Sequence, residues 1–206
     1  MALNSVILDG QEVFPSKIIC VGRNYVEHIK ELNNDIPTEP VIFLKPNSAI
    51  DQTLRCDDRD AIHYEAEICF LIKDGKLNGV GFGLDLTKRD LQTQLKMKGL
   101  PWERAKAFNS SAVFSEFSLY AGAISDLRLE LWINGTIRQQ ANVDLMIHKP
   151  NDLLAEINTF ISCEDNDIIM TGTPKGVGIV RSQDQFIGKI FASNTPLIEL
   201  VLQAEF

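Results

Sequence analysis

The stretch His63-Tyr64-Glu65-Ala66-Glu67-Ile68-Cys69-Phe70-Leu71-Ile72 predicts a β-strand. Its aromatic, branched and aliphatic residues are closed by the turn Lys73-Asp74-Gly75-Lys76. Alternate side chains of a strand share a face, so Glu65 and Glu67 point together, about 7 Å apart along the chain. Two neighbouring carboxylates repel. A folded chain keeps such a pair through solvent screening, a shared proton or a cation between them. The flanking residues are apolar, which argues against full exposure.

Outward from this strand, Gly79-Val80-Gly81-Phe82-Gly83-Leu84-Asp85-Leu86-Thr87 predicts a second one. Its alternate glycines clear one face for another backbone or a ligand, and Asp85 continues that face. Thr87 is a suitable N-cap for a helix over 88–98, with Gly99 as terminator. A short arm over 1–16 turns at Asp9-Gly10. Strands are expected over 17–22 and 41–46, and a helix from Val26 to about Asn33, broken by Asn33-Asn34-Asp35 and Pro37. Residues 47–62 read as irregular, and 100–108 as a compact connection or short helix. Strand-like sequence from 113 to 143 carries a tight hairpin at Asn134-Gly135. Asn151 or Asp152 can cap a helix running to about Ile161. A strand at 167–170 leads into the Gly-rich turn Thr171 to Gly178, and 197–206 forms the last strand. Many short strands with three helices, in no regular alternation, indicate an α+β fold that is predominantly β. Residues 1–206 show no linker or repeat and read as one domain.

The 206 residues are 45% hydrophobic, enough for a substantial core. The net charge of −8, without a long Lys/Arg run, suits neither a nucleic-acid backbone nor an anionic membrane surface. No apolar run approaches the roughly 18 residues of a membrane span, and the N-terminus lacks the basic region of a signal peptide. Cys20, Cys56, Cys69 and Cys163 are scattered and fit reduced thiols, so a cytoplasmic protein is expected.

Four groupings could carry chemistry. Glu65, Glu67 and Asp85 offer only oxygen, which suits Mg²⁺ or Mn²⁺ rather than Zn²⁺. Glu-x-Glu alone is more often an exposed strand face. His28 and Glu31 lie three apart on a helix, where a carboxylate can orient a histidine as a general base. By periodicity a solvated helix face is the commoner explanation. Arg23, Lys45, Arg89, Lys106 and Lys175 could each hold a carboxylate, though each alone is more often a surface charge. The turn Thr171 to Gly178 departs from the P-loop pattern; it could present N–H groups and the Thr173 hydroxyl to an anion, or serve as a structural hairpin.

In order along the chain, the blocks Cys-Val-Gly-Arg-Asn-Tyr (20–25), Val-Ile-Phe-Leu-Lys-Pro (41–46), His-Tyr-Glu-Ala-Glu (63–67), Leu-Asp-Leu-Thr-Lys-Arg-Asp-Leu-Gln (84–92), Lys-Gly-Leu-Pro-Trp (98–102) and Asp-Ile-Ile-Met-Thr-Gly-Thr-Pro-Lys-Gly-Val-Gly (167–178) resemble the fumarylacetoacetate hydrolase family. The resemblance is to its short acylpyruvase and oxaloacetate decarboxylase-like branch. It implies a mixed β-roll, usually homodimeric. It further implies Mg²⁺ or Mn²⁺ held by Glu65, Glu67 and Asp85, and a catalytic set of His28, Glu31 and Lys106. Arg23, Lys45, Arg89, Gln92 and Thr173 would bind a small 2-oxo or 2,4-dioxo acid. The leading expectation is hydrolysis of a C–C bond in acylpyruvate-like 2,4-dioxo acids through a pyruvate enolate stabilised at the cation site. Oxaloacetate decarboxylation or keto–enol tautomerisation at the same site is the alternative, and a non-catalytic metal- or oxo-acid-binding protein ranks last. Asn109, Val113, His148 and Ile179 depart from the family pattern, at positions that bear on pocket shape rather than on the proposed ligands.

Overall fold

The stretch from His63 to Ile72 is not one continuous strand. In the computed structural model, which describes residues 3–57 and 60–206, the chain pairs as Ile62–Tyr64, leaves the ladder at Glu65, and pairs again as Ala66–Lys73 in another sheet. Hydrogen bonding explains the break. The Ala66 N–H donates to the Gln139 side chain at 3.0 Å, while the Glu65 carbonyl accepts from the Asp85 N–H at 2.8 Å. Residues 1 and 2 of the expected arm, and 58 and 59 of the expected irregular stretch, lie outside the described residues.

The architecture is mostly β, the mixed β-roll that the resemblance implies. A curled eight-stranded sheet runs Val41–Pro46, Lys17–Gly22, Ile168–Met170, Ala66–Lys73, Lys76–Asp85, Ala112–Phe114 and Ile50–Asp51, with Ser118–Leu119 also paired to Lys76–Asp85. It is mixed: Ile168–Met170 runs parallel to Lys17–Gly22, and Ala112–Phe114 parallel to Ile50–Asp51, while the other pairs are antiparallel. A four-stranded antiparallel sheet runs Thr136–Asn142, Leu127–Ile133, Gln185–Ala192, Thr195–Gln203. Gly178–Ile179, Ile62–Tyr64 and Thr87–Lys88 form a small third sheet. Val6–Leu8 and Gln11–Val13 form the N-terminal hairpin, turning through Asp9 and Gly10 at positive φ.

Burial follows the two-residue period of the strands. Ile68, Phe70 and Phe82 pack toward the four-stranded sheet, against Leu129, Leu131 and Phe186. Cys69 and Leu71 face the other way, with Ile18, Cys20, Phe117 and Met170. Glu67 leads that second row, which is why a carboxylate ends up beside a core. A third cluster packs the helix Pro150–Ile157 onto Ile19, Val21 and Ile169. Cys20 and Cys69 are buried and Cys56 and Cys163 partly so. No helix among the described residues is long and apolar enough to cross a membrane.

Helix boundaries shift from expectation. Among the described residues the α-helices are α1 (Val26–Glu31), α2 (Arg89–Met97), α3 (Glu103–Lys106) and α4 (Pro150–Ile157). Thr87 does not cap α2. It pairs with His63, and its hydroxyl accepts from Lys106 Nζ at 2.7 Å. α4 begins with Pro150, whose fixed φ suits a first turn, and ends four residues earlier than expected. The Asn134-Gly135 hairpin forms as expected, both residues at positive φ.

The cleared glycine face admits side chains, not a ligand. A Cβ on Gly81 would lie 2.7 Å from the Phe117 ring, and one on Gly83 would lie 2.5 Å from Cys69 Sγ. Gly81→Ala is therefore expected to destabilise the protein by about 1–3 kcal/mol through overpacking. Urea denaturation checks this, and adding Phe117→Leu should recover part of the loss.

Candidate functional site

Three carboxylates converge where the chain changes sheets. Glu65, Glu67 and Asp85 are buried, and each presents an oxygen within 4.8 Å of the others. The Lys106 ammonium donates to Glu65 Oε2 at 2.8 Å and to Asp85 Oδ2 at 2.7 Å. Lys45 Nζ lies 2.9 Å from Asp85 Oδ1 and donates to the carbonyls of Leu86, at 3.3 Å, and Lys106. Arg89 pairs with Glu65 through Nη2 and donates from Nη1 to Gln92 Oε1 at 2.8 Å. Glu67 accepts the Gly172 N–H at 2.7 Å and has no ion pair among the described residues.

These partners divide the three acids electrostatically. Burial alone would raise Glu65, but the charges of Lys106 and Arg89 outweigh it and hold the carboxyl well below its usual range. Burial, then the charges of Asp85 and Glu65, push Glu67 well above that range, and the Gly172 N–H offsets only part of this. Burial would also lower Lys106, yet Asp85 and Glu65 more than compensate, so it stays an ammonium. The donor set is all oxygen, and a divalent cation beside Glu67 would offset both the burial and the repulsion that raise it. The residues present therefore fit a hard divalent metal.

Next to this group stands the His28–Glu31 pair. The i,i+3 spacing of α1 brings His28 Nδ1 to 3.1 Å from Glu31 Oε2, with His28 5% exposed. The solvated-face explanation fits Glu27 and Lys30, which pair with each other in solvent, but not His28. The Gly-rich turn aims its N–H groups at the protein's own carboxylates: Gly172 at Glu67 and Gly176 at Glu31, the latter at 3.0 Å. Both glycines have positive φ, so its structural and anion-holding roles coincide.

A cleft of about 600 Å³, counted to its open mouth, joins these parts. Arg23, His28, Glu65, Arg89, Gln92, Lys106 and Thr173 line it. Glu67 and Asp85 lie deeper, and Glu31 supports His28. Lys45, expected among the substrate-binding residues, does not line the cleft; it is fully buried and held on Asp85. Arg23 adopts φ 57, an uncommon conformation for a side-chain-bearing residue. The buried Asn24 amide holds this bend, donating to the carbonyls of Thr171 at 2.8 Å and His148 at 2.9 Å and accepting from His148 N at 2.7 Å.

Three contributors were not singled out from sequence. Gln139 is buried and ties Ala66 N to Thr173 Oγ1, the latter at 2.8 Å. Asn34 and Lys96 line the outer cleft. Lys96 was findable, because residues 89, 92 and 96 share one face of a helix. Gln139 and Asn34 carry no comparable signal.

A family model described as fumarylacetoacetate (FAA) hydrolase C-terminal matches residues 17–196. The chain is 38% identical over 193 residues to the oxaloacetate tautomerase YcgM of Escherichia coli, covering 82% of this chain and 86% of that protein. It is 33% identical over 238 aligned positions to the mitochondrial oxaloacetate tautomerase FMP41 of Saccharomyces cerevisiae, covering 92% of each. The crystal structure of fumarylpyruvate hydrolase from Pseudomonas aeruginosa, in complex with Mn²⁺ and pyruvate, matches with a TM-score of 0.90 at 28% identity, covering 99% of this chain and 96% of that one.

If Glu65, Glu67 and Asp85 hold a divalent cation, saturating Mn²⁺ should raise the melting temperature of the protein and leave that of a folded Glu67→Gln variant unmoved. Scanning calorimetry decides this, and equal stabilisation of both would reject the assignment.

Proposed function

The chain belongs to the fumarylacetoacetate hydrolase family, and from that premise we propose that it is a divalent-metal-dependent enzyme interconverting the keto and enol forms of oxaloacetate. The observation that carries this reading is the buried His28–Glu31 pair, opening on the same cleft as Glu65 and Lys106. The tautomerase names of the Escherichia coli and yeast relatives support it.

Glu31 accepts the Nδ1 proton of His28 and leaves Nε2 as the base. That nitrogen removes a proton from C3 of the keto acid. The C–H electron pair becomes the C2–C3 double bond, and the carbonyl π pair moves onto the C2 oxygen. Lys106, kept cationic by Asp85 and Glu65, stabilises the charge developing there. Return of the proton from His28 to that oxygen gives the enol; return to C3 regenerates the keto form. Glu65, Glu67 and Asp85 would hold a divalent cation, which would supply Lewis-acid polarisation for a 2-oxo group. Mg²⁺ or Mn²⁺ suits the oxygen donors, and the Mn²⁺ in the fumarylpyruvate hydrolase structure supports that choice.

C–C bond hydrolysis, the leading expectation from sequence, becomes the second reading. The likeness to the fumarylpyruvate hydrolase favours it, and His28 would then deprotonate water. Decarboxylation of oxaloacetate reaches the same kind of enolate without a base.

One purified preparation assayed with enol-oxaloacetate, oxaloacetate and acetylpyruvate separates the three reactions. His28→Ala should slow tautomerisation by about 10²–10⁴-fold. Decarboxylation should persist. Undiminished tautomerisation in that variant would remove His28 as the base.

A further inference from the structure

The two ends of the cleft differ in charge. Around the inner end Lys45, Arg89 and Lys106 are all ion-paired, to Asp85, to Glu65 and to both respectively. At the outer end stand Arg23 and Lys96, neither in an ion pair among the described residues. Both donate to a single neutral atom, Asn34 Oδ1: Lys96 Nζ at 2.8 Å and Arg23 Nη2 at 3.2 Å.

The end of α1 sets this arrangement. Asn33 turns left-handed at φ 51, its N–H donates to the Lys30 carbonyl, and the Asn34 N–H donates to the Ile29 carbonyl, each at 3.0 Å. That reversal carries the Asn34 amide to the mouth of the cleft. On the facing wall, Lys96 projects from the same face of α2 as Arg89 and Gln92. Burial, then the charges of Arg23 and Arg89, hold the Lys96 ammonium below its usual pKa, the mark of a cation lacking its counter-charge. One amide oxygen cannot neutralise two cations, whereas a carboxylate can accept from both.

We propose that Arg23 and Lys96 form a distal carboxylate clamp, with Lys96 the residue that selects 2-oxo dicarboxylates over 2-oxo monocarboxylates. This rests on the oxo-acid reading of the inner site and adds to it the residues that read the second carboxylate. The first carboxylate and the 2-oxo group lie at the inner end, and the second carboxylate takes the place of Asn34 Oδ1 as the acceptor for both cations. Asn34 acts as a positioning residue that keeps the two cations together until the ligand arrives. The clamp takes no part in proton transfer, so its loss appears in binding rather than turnover.

The test compares wild type, Lys96→Met and Lys96→Arg in the presence of Mg²⁺. Calorimetric titration with malate and with lactate isolates the second carboxylate, because malate is lactate carrying a carboxylate on its methyl carbon. Lys96→Met should weaken malate about tenfold or more, by loss of a charge-assisted hydrogen bond, and leave lactate within about twofold. Its KM for oxaloacetate should rise while kcat and the melting temperature stay near wild type, and Lys96→Arg should recover most of the affinity. Equal weakening of both ligands, or of neither, would overturn the clamp. The two readings separate cleanly. A wild-type protein that turns over no oxo acid but shows a Lys96-dependent preference for malate supports the clamp while ending the catalytic reading. An active tautomerase whose Lys96→Met variant binds malate unchanged overturns the clamp alone.

Discussion

Three buried carboxylates within 4.8 Å of one another cannot all stay ionised without cations beside them. Much of the local structure answers that requirement. Lys45 is taken fully out of solvent to reach Asp85, Lys106 spans Glu65 and Asp85, and Arg89 crosses from α2 to Glu65. The answer is incomplete at Glu67, which accepts a backbone N–H and has no ion pair among the described residues. That asymmetry marks where a divalent ion would relieve most repulsion, and it separates the roles of the acids: Glu65 is already compensated, Glu67 is not.

The same elements that compensate the acids also build the cleft. α2 sends Arg89 inward and Lys96 to the mouth, while α1 supplies His28 and, through the reversal at its end, Asn34. The proposed base, the proposed oxyanion-stabilising ammonium and the outer cations are therefore mounted on separate segments around one space. Backbone N–H groups of the Gly-rich turn hold Glu67 and Glu31 in place at once, linking the candidate cation site to the candidate base. A change in that turn should be felt by both.

The parts of this design legible in the sequence are those set by local chemistry. Asn134-Gly135 forms its hairpin because both positions need positive φ, and the aromatic, branched and aliphatic run within Ala66–Lys73 marks a strand. The Glu65/Glu67/Asp85 grouping came from strand periodicity together with the ordered family blocks. The break at Glu65 was not legible, because its cause is Gln139, 73 residues away. Thr87 looked like a helix cap from its neighbours, but Lys106 takes its hydroxyl. Lys45 read as a possible carboxylate holder from its charge and from the family blocks; the tertiary position of Asp85 draws it inside. Lys96 followed the helical period of Arg89 and Gln92, yet its meaning depends on Asn34, 62 residues earlier.

The break at Glu65 also bears on the order of folding. It places the three acids at a junction of sheets, with Gln139 holding the seam open from a third part of the chain. Contacts this distant in sequence form late, after the loops between them have closed. A cation that needs all three acids would bind the finished fold and have little to grip in partly folded chains. Metal supply would then act on the end of folding, by holding completed molecules in the native state, rather than on its rate of initiation.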